Sequence, residues 1–194
     1  MNLLQNTTEL ALAICEKYID DDGCAVDCTC GRGKDTLFLA KRFKKVYSFD
    51  IQEEALESAR KLLEENKISW DNYSEGNSAR VTFINDSHVN MQNYVKGNPQ
   101  LIVFNLGYLP GGDKNITTLP SDTLEAIQNA LKILKTGGLI SIVMYPGHEN
   151  GLKEHEEIIS LAKSLPKEKF HCVYASMINQ SSAAPQILWI TKKK

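Results

Sequence analysis

Short apolar runs alternate with segments of helical period along most of the chain, and this alternation constrains the fold more than any other feature. The runs occupy residues 24–28, 46–50, 81–85, 101–106 and 138–145, and the helical patterns occupy residues 35–43, 53–66, 89–96, 121–134 and 152–164. Short apolar runs are typical of buried strands, and apolar residues at i, i+3 and i+4 are typical of helices. Repeated strand–helix units predict an open, mostly parallel sheet with helices on both faces.

Both ends of the chain add elements to this pattern. Thr7 or Thr8 can cap a first helix. Residues 170–178 and 187–191 are predicted to be two further strands, and the short connection between them favours an antiparallel pair. Residues 69–79 are polar and predict a loop. The expected architecture is α/β, with a seven-stranded, mostly parallel sheet and a C-terminal antiparallel hairpin.

Length and composition limit the class of protein. The 194 residues fit a single domain, 1–194, without an internal repeat or a linker, and 42% hydrophobic with 24% charged residues is typical of a globular chain. No apolar run approaches the ~20 residues of a membrane span, and the N-terminus lacks the basic start of a signal peptide, so we expect a cytoplasmic protein without membrane contact. The net charge of −2 gives no overall positive field to attract nucleic acid.

The five cysteines predict free thiols. Cys24, Cys28 and Cys30 are close in sequence but lack the C-x2-C pairs of zinc sites, and Cys15 and Cys172 are isolated. In a strand, Cys28 and Cys30 would share a face. We therefore expect no metal.

A glycine-rich turn lies where the first predicted strand meets the next helix. Asp27 ends the strand, and Gly31 and Gly33 follow in the sequence DCTCGRGKDT. In a doubly wound sheet the carboxyl ends of the strands form the ligand crevice, and glycines there permit a tight turn and a close approach of ligand to backbone. The third glycine of the dinucleotide fingerprint is absent, and a glycine pair at a strand end can also be a structural turn alone.

Two polar side chains follow the second predicted strand. Asp50 ends that strand, where an acid can bind the two hydroxyls of an adenosine ribose. Gln52 lies over the same crevice and is a candidate contact for the adenine or the ribose. The alternatives are a solvated Asp at a strand end and a surface Gln that opens a helix.

A polar cluster of Asp86, Ser87 and His88 ends the third predicted strand. Asp86 or Ser87 can bond the amino edge of an adenine, and His88 can stack on the ring or bond to it. The same Asp or Ser can instead cap the following helix, and a single His is more often a surface or packing residue than a catalytic one. All three residues are candidates for cofactor binding.

The fourth predicted strand neighbours the first across the point where the strand order reverses, and Asn105 lies near its end. The Asn105 carbonyl can hold an amino group close to an electrophile, and Tyr108 can stack on a base, so both are catalytic candidates. The alternative is a Gly/Pro loop with an incidental aromatic residue. Candidates for substrate binding are Leu106, Gly107, Thr117 and Thr118 in the same segment, and Tyr145 and His148 at the end of the fifth strand, where a plain turn is the alternative.

Together these motifs resemble the class I S-adenosylmethionine-dependent methyltransferases. The D-x-T-x-G-x-G loop, the second strand that ends in an acid and the terminal hairpin are signs of that Rossmann-like fold. More specifically, the sequence resembles the bacterial group named rRNA methylases, similar to the Gram-positive enzyme that methylates 5-aminomethyl-uridine at the tRNA wobble position. The matching segments are residues 27–40, 49–53 (FDIQE), 87–88 (SH), 105–118 and 178–180 (INQ).

The resemblance implies a cofactor and further contacts to it. The cofactor is S-adenosyl-L-methionine, and its implied contacts include Arg32 and Asp35 besides the candidates above. Arg32 stands where the group commonly has Asn. Because an Arg side chain cannot accept a hydrogen bond from the methionine ammonium, Arg32 would contact the cofactor through its own backbone or through the cofactor's carboxylate.

The resemblance also implies the reaction. An RNA N-methyltransferase of this group would methylate the amine of 5-aminomethyl-(2-thio)uridine at the wobble position, a step of tRNA modification and processing with the anticodon loop as partner. Alternatives of the same fold are an rRNA, small-molecule or protein-side methyltransferase. An NAD-binding oxidoreductase or a noncatalytic nucleotide-binding module is disfavoured by the missing third glycine and by the 105–118 segment. The oligomeric state is left open by the sequence, with a homodimer among the arrangements.

Overall fold

The part of the chain that the structure describes forms one eight-stranded sheet between two helical layers. The structure, a computed structural model, describes residues 3–19, 23–74, 76, 78–107 and 120–194. The strands are β1 (Cys24–Asp27), β2 (Lys45–Phe49), β3 (Trp70–Asn72), β4 (Val81–Ile84), β5 (Leu101–Leu106), β6 (Leu139–Met144), β7 (Phe170–Ala175) and β8 (Gln186–Lys192). Their order is β3-β4-β2-β1-β5-β6-β8-β7, and neighbours run parallel except β6–β8 and β8–β7, which are antiparallel.

Helices cover both faces of the sheet. They are α1 (Thr7–Cys15), α2 (Lys34–Ala40), α3 (Glu53–Glu65), α4 (Met91–Tyr94), α5 (Pro120–Ile133) and α6 (Glu149–Ser164), with short 3-10 turns at Leu3–Gln5, Glu16–Tyr18 and His88–Asn90. Alternate strand residues point to opposite faces, so Ala25 packs with α1, α2 and α3, and Val26 packs with α4, α5 and α6. The predicted parallel sheet, two helical layers and C-terminal antiparallel pair are confirmed. No helix in the described ranges is long and apolar enough to cross a membrane.

The eighth strand, β3, lies where the sequence predicts a loop. Residues 69–79 are polar, yet Trp70–Asn72 pairs in parallel with β4, so the loop prediction is wrong for these three residues. The Trp70 ring packs edge-to-face on Phe83 at 5.9 Å between ring centroids, while Asp71 and Asn72 are exposed. Strand β3 pairs with a neighbour on one side only and covers a single half-buried side chain, Trp70, so its sequence carries little apolar pattern.

Several predicted boundaries differ from the observed ones by one to three residues, and two of these differences have a local cause in hydrogen bonds. Helix α1 is capped by Asn6, whose side chain accepts a hydrogen bond from the Glu9 N–H, rather than by Thr7 or Thr8. Strand β7 ends at Ala175 instead of residue 178, because backbone hydrogen bonds from Gln180 to Met177 and from Ala184 to Ser181 close turns directly after it. The residues between β7 and β8 therefore form a loop, named here the β7–β8 loop (residues 176–185).

The strand register brings the ends of the central strands to one edge. Asp27 of β1 pairs with Val103 of β5, and Asn105 of β5 pairs with Val143 of β6. Since these strands are parallel, the loops that follow them all leave from the same carboxyl edge of the sheet. The prediction that the strand containing Asn105 neighbours the first strand is confirmed.

Candidate active site

Asp50 fastens the loop after β1 to the end of β2. Its Oδ2 accepts a hydrogen bond from the Gly31 N–H at 2.8 Å, and its Oδ1 accepts one from the Gln52 N–H at 3.0 Å. Gly31 has a φ of +50°, in the left-handed region that favours glycine. Because a carboxylate oxygen can accept more than one hydrogen bond, Asp50 held in this way can also accept two neighbouring hydroxyl groups.

Asp27 is completely buried beneath the same loop and is held by two threonines. Its Oδ1 accepts a hydrogen bond from the Thr29 N–H at 3.0 Å, and its Oδ2 accepts one from the Thr36 hydroxyl at 2.6 Å. The Thr36 hydroxyl also lies 2.7 Å from Ser48 Oγ of β2. Neither threonine is among the residues singled out from the sequence, although the D-x-T spacing is a signal that could have found Thr29.

Asn105 is the centre of a hydrogen-bonded group that joins three elements. Its backbone N–H donates to Thr29 Oγ1 at 2.8 Å, and its side-chain Nδ2 donates to Asp35 Oδ2 at 3.2 Å. The Tyr145 hydroxyl donates to Asn105 Oδ1 at 2.9 Å. These contacts fix the orientation of the side-chain amide, and its oxygen keeps the capacity for one more hydrogen bond.

Three carboxylates converge behind this group, and burial raises the pKa of each. Burial and the neighbouring negative charge of Asp35 raise the pKa of Asp27 to about 7. Burial also raises the pKa of Asp35, against the hydrogen bond from Asn105, and it raises the pKa of Asp50 against the two backbone hydrogen bonds described above. Neighbouring buried carboxylates of this kind bind a positively charged ligand most favourably, because the ligand's charge stabilises their ionised forms.

The three predicted residues after β4 have different surroundings. Asp86 accepts hydrogen bonds from the Tyr94 hydroxyl at 2.7 Å and from the Asn90 amide, and these hydrogen bonds lower its pKa. Ser87 Oγ accepts the Val89 N–H at 3.3 Å and so caps the short helix, as the alternative interpretation expects. A role of either residue in cofactor binding stays a prediction.

His88 is buried below the loop that follows β1. Its Nδ1 lies 2.7 Å from the Cys28 carbonyl oxygen, and its ring packs edge-to-face on Phe104. Burial lowers the pKa of His88, so the neutral ring donates its Nδ1–H to that carbonyl, and Nε2 is buried without a partner among the described residues. The imidazole therefore supports the loop from below, and a direct contact with the cofactor stays a prediction.

The turn after β6 faces the end of β5. A Cβ placed on Gly107 would lie 3.3 Å from Tyr145 Cδ2, so the Tyr145 ring covers Gly107 closely. His148 Nδ1 accepts the Gly151 N–H at 3.0 Å and caps α6, which agrees with a turn, and the side chain of Leu106 is buried in the core under α4 and α5. Substrate contacts by these residues stay predictions.

The remaining predicted residues are exposed, half-buried or not described. Arg32 is exposed in the loop before α2, and Gln52 is half-buried at the start of α3. Tyr108, Thr117 and Thr118 lie outside the described residues.

The cysteines near the site point away from one another. Cys28 is buried in the core under α4 and α5, whereas Cys30 is buried in the core under α2 and α3, so the expectation that they would share a face is wrong. The reason is that both residues follow the end of β1, where the strand alternation no longer holds. Burial raises the pKa of both thiols, and no group of three potential metal ligands occurs among the described residues.

Comparisons with known proteins identify the family. The family described as "Putative rRNA methylase" matches residues 46–191. The chain belongs to this rRNA methylase family. It is 36% identical over 200 residues to the tRNA (mnm(5)s(2)U34)-methyltransferase, chloroplastic, of Arabidopsis thaliana. The aligned region covers 98% of this chain and 70% of that protein.

Solved structures of related methylases share the fold. An rRNA methylase from Clostridium thermocellum has a TM-score of 0.88 at 34% identity, covering 96% of this chain and 97% of the other. A methyltransferase from Streptococcus mutans in complex with SAH has a TM-score of 0.85 at 32% identity, covering 96% and 98%. The methylase described here is an S-adenosylmethionine-dependent methyltransferase with the Rossmann-like fold of that class.

The residues at the carboxyl edge fit this cofactor. Adenosylmethionine has two adjacent ribose hydroxyls, which suit the oriented carboxylate of Asp50, and it carries a sulfonium and an ammonium, which suit the negative site around Asp35 and Asp27. The bound cofactor supplies an activated methyl group. The chain's own contribution is to position that group and to exclude water around it.

Replacing Asp50 with alanine is expected to weaken adenosylmethionine binding. The ribose hydroxyls would lose a charged acceptor, which costs about 1.5–3 kcal/mol, or roughly tenfold to a hundredfold in Kd. Calorimetric titration with adenosylmethionine and with adenosylhomocysteine measures the loss, and Asp71→Ala, an exposed Asp on β3, is the matched control. A Kd for Asp50→Ala within twofold of the parent would remove Asp50 from the site.

Cofactor affinity is expected to weaken as the pH is lowered. Because the pKa of Asp27 is raised to about 7, the cofactor-free protein holds a proton there at pH 5.5, and the cationic cofactor must displace it. Linkage then predicts about tenfold weaker binding at pH 5.5 than at pH 7.5.

The raised pKa of Asp27 also means that the free energy of unfolding of the cofactor-free protein falls as the pH rises through that value.

Calorimetric titrations at the two pH values test the pH dependence of cofactor binding. Asp27→Asn keeps the shape of the side chain without its titration, so its cofactor affinity should change much less with pH. Equal affinities of the parent protein at pH 5.5 and 7.5 would contradict the prediction.

Proposed function

We propose that this methyltransferase methylates the amine of 5-aminomethyl-(2-thio)uridine at the wobble position of tRNA. The name of the Arabidopsis relative, which matches 98% of this chain, supports the tRNA wobble uridine as the acceptor. The observation that carries the proposal is the oriented amide of Asn105 between Asp35 and Tyr145. A cytoplasmic location and a homodimer stay predictions beside it.

The amide oxygen of Asn105 suits an amine acceptor. The primary amine must lose a proton before it can attack the methyl group, and bulk water can take that proton. The neutral amine then donates a hydrogen bond to Asn105 Oδ1, which already accepts the Tyr145 hydroxyl from another direction. Tyr145 acts as a positioning residue in this scheme, because it fixes the amide without needing to touch the amine.

Roles in cofactor binding follow from the same geometry. Asp50 holds the ribose, and Asp35 holds the methionine ammonium while it orients Asn105. In this proposal the end of β5 lies next to the methyl group, so that one short segment brings the methyl donor and the amine together. Methyl transfer to an amine is an in-line displacement, in which positioning is the main contribution of the protein.

Exposed cations at the carboxyl edge support an RNA substrate despite the net charge of −2. Arg32 precedes α2 and Lys34 begins it, and Lys153, which lies 3.9 Å from Glu157 Oε1, is near the start of α6. The N-terminal ends of both helices face the carboxyl edge of the sheet. Local cations of this kind can neutralise phosphates near an unpaired base. Unstacking costs least in a single-stranded loop, which favours the anticodon over a helical region.

The experiment uses tRNA whose wobble uridine carries the 5-aminomethyl group without the further methyl group. This tRNA and ribosomal RNA from the same cells are incubated separately with the enzyme and methyl-labelled adenosylmethionine, and the nucleosides are identified by mass spectrometry. Label is expected in 5-methylaminomethyl-uridine or its 2-thio form. Label in ribosomal RNA with the tRNA untouched would overturn the acceptor and leave the methyltransferase assignment intact.

A further inference from the structure

The β7–β8 loop lies beside the proposed acceptor site. Strand β8 runs antiparallel to β6 with Gln186 opposite Met144, so the loop that precedes β8 stands at the carboxyl edge of the sheet. A Cβ placed on Gly147 would lie 3.4 Å from the Ala183 carbonyl oxygen, which shows that the loop rests against the turn after β6. Tyr145 begins that turn, and its hydroxyl binds Asn105.

Ile178 projects from this loop into solvent. It is 97% exposed, more than any other large hydrophobic residue in the described ranges. Single exposed aliphatic residues are common on protein surfaces, so exposure alone is not a sign of function. What distinguishes Ile178 is that it lies in a loop that contacts the turn after β6 through Ala183, in the INQ segment that is not needed for the sheet or its cores.

The loop has a defined shape and offers uncharged binding groups. The Gln180 N–H donates to the Met177 carbonyl at 3.0 Å, which places Ile178 and Asn179 in the centre of a turn. The side-chain amides of Asn179 and Gln180 are exposed, and the described part of the chain provides them with no hydrogen bond. A preformed loop loses less conformational entropy when it binds a partner.

The chemistry of the loop fits nucleobases better than phosphates. Residues 176–185 (SMINQSSAAP) contain no charged side chain, whereas Arg32, Lys34 and Lys153 lie on other elements of the same edge. Amides both donate and accept hydrogen bonds, as base edges do, and an exposed aliphatic side chain can pack on the face of an unstacked base. The cations therefore suit the phosphates of an RNA strand, and the β7–β8 loop suits its bases.

We infer that the β7–β8 loop binds the unpaired nucleotides next to the methylated uridine, with Ile178 packed on a base and Asn179 and Gln180 against base edges. This inference rests on the proposed function, since it assumes that the acceptor is RNA. It assigns to the loop the recognition of the flanking sequence, while the end of β5 holds the reacting amine.

The test compares steady-state kinetics of Ile178→Ala with those of the parent enzyme on tRNA that carries the aminomethyl group. The KM for tRNA is expected to rise about tenfold, with kcat and the Kd for adenosylmethionine within about twofold. Ile178→Phe retains an apolar surface for a base and should restore the KM. Val173→Ala, a 57% exposed aliphatic residue in the middle of β7, is the matched control and should leave all three quantities unchanged.

The outcomes separate the inference from the proposed function. A tRNA KM for Ile178→Ala equal to that of Val173→Ala, on an enzyme that methylates tRNA, would overturn the inference alone. Failure of the parent enzyme to methylate any tRNA would overturn the proposed function and the inference with it. A fall in kcat or cofactor affinity with an unchanged KM would assign Ile178 a role in the shape of the site and would also contradict RNA binding by the loop.

Discussion

Asn105→Ala is expected to lower kcat for tRNA methylation about 100-fold while the Kd for adenosylmethionine changes by less than about threefold. The amide oxygen that accepts the amine would be lost, and misplacement of a reacting group by about 1 Å can cost about 100-fold in rate. Asp50 and the loop before α2 would keep their own hydrogen bonds, so the cofactor should still bind. Single-turnover methylation and calorimetric titration measure the two quantities separately.

Two further variants make the Asn105 result specific. Tyr145→Phe removes only the hydroxyl that fixes Asn105 Oδ1, so a smaller loss of about tenfold in kcat is expected. Asn66→Ala removes the same type of side chain at the end of α3, where it binds Leu62 and Lys41, and should leave kcat unchanged. If Asn105→Ala retained the parent kcat, the amide would have no part in holding the acceptor.

Much of the candidate site could be predicted because of where parallel strands end. Asp27, Asp50 and Asn105 each lie at or near the end of a predicted strand, and the carboxyl ends of parallel strands form one edge. The rule places residues at that edge but does not say which of them touch. Asn105 contacts Asp35, 70 residues away in sequence, and Tyr145, 40 residues away. These contacts depend on side-chain directions that only the folded chain defines.

Burial and local contacts explain why the sequence did not predict the surroundings of His88 and Tyr145. His88 follows a strand like the other candidates, yet it is only 5% exposed and bonds the backbone of another loop, which a strand-end pattern cannot distinguish from a ligand contact. Tyr145 was a candidate for substrate binding; its hydroxyl donates to Asn105 and its ring covers Gly107, and a contact with substrate stays a prediction. In both cases the residue type and its strand-end position predicted a place at the site, and the neighbouring residues in the fold determine which contacts the side chain makes.

The sheet was predicted more completely than its edges. Central strands such as β5 and β6 are buried on both faces and so have continuous apolar sequences. Strand β3 pairs on one side only, with two of its three residues exposed, and therefore resembles a loop in sequence. Strand β7 is also a mostly exposed edge strand, and it ends before residue 178 because turns closed by backbone hydrogen bonds follow Ala175.

Gly33→Ala is expected to cause the largest loss of stability at the site. Gly33 has a φ of +79°, and a Cβ there would lie 2.6 Å from the Cβ of Ala59 in α3, so α2 and α3 could not keep their present approach. The left-handed backbone costs about 1–2 kcal/mol and the overpacking about 1–3 kcal/mol, which together predict a fall of roughly 2–5 kcal/mol in the free energy of unfolding.

A second glycine separates the two contributions to this loss. Gly97 has a φ of +83° but no heavy atom within 4 Å of a Cβ placed on it, so Gly97→Ala should show only the backbone cost of about 1–2 kcal/mol. Urea denaturation of both variants without cofactor measures the free energies. Because Gly33 lies in the loop that Gly31 joins to Asp50, Gly33→Ala should also weaken adenosylmethionine binding, whereas Gly97→Ala should not. Equal stability losses in the two variants would mean that the close approach to Ala59 does not constrain the loop.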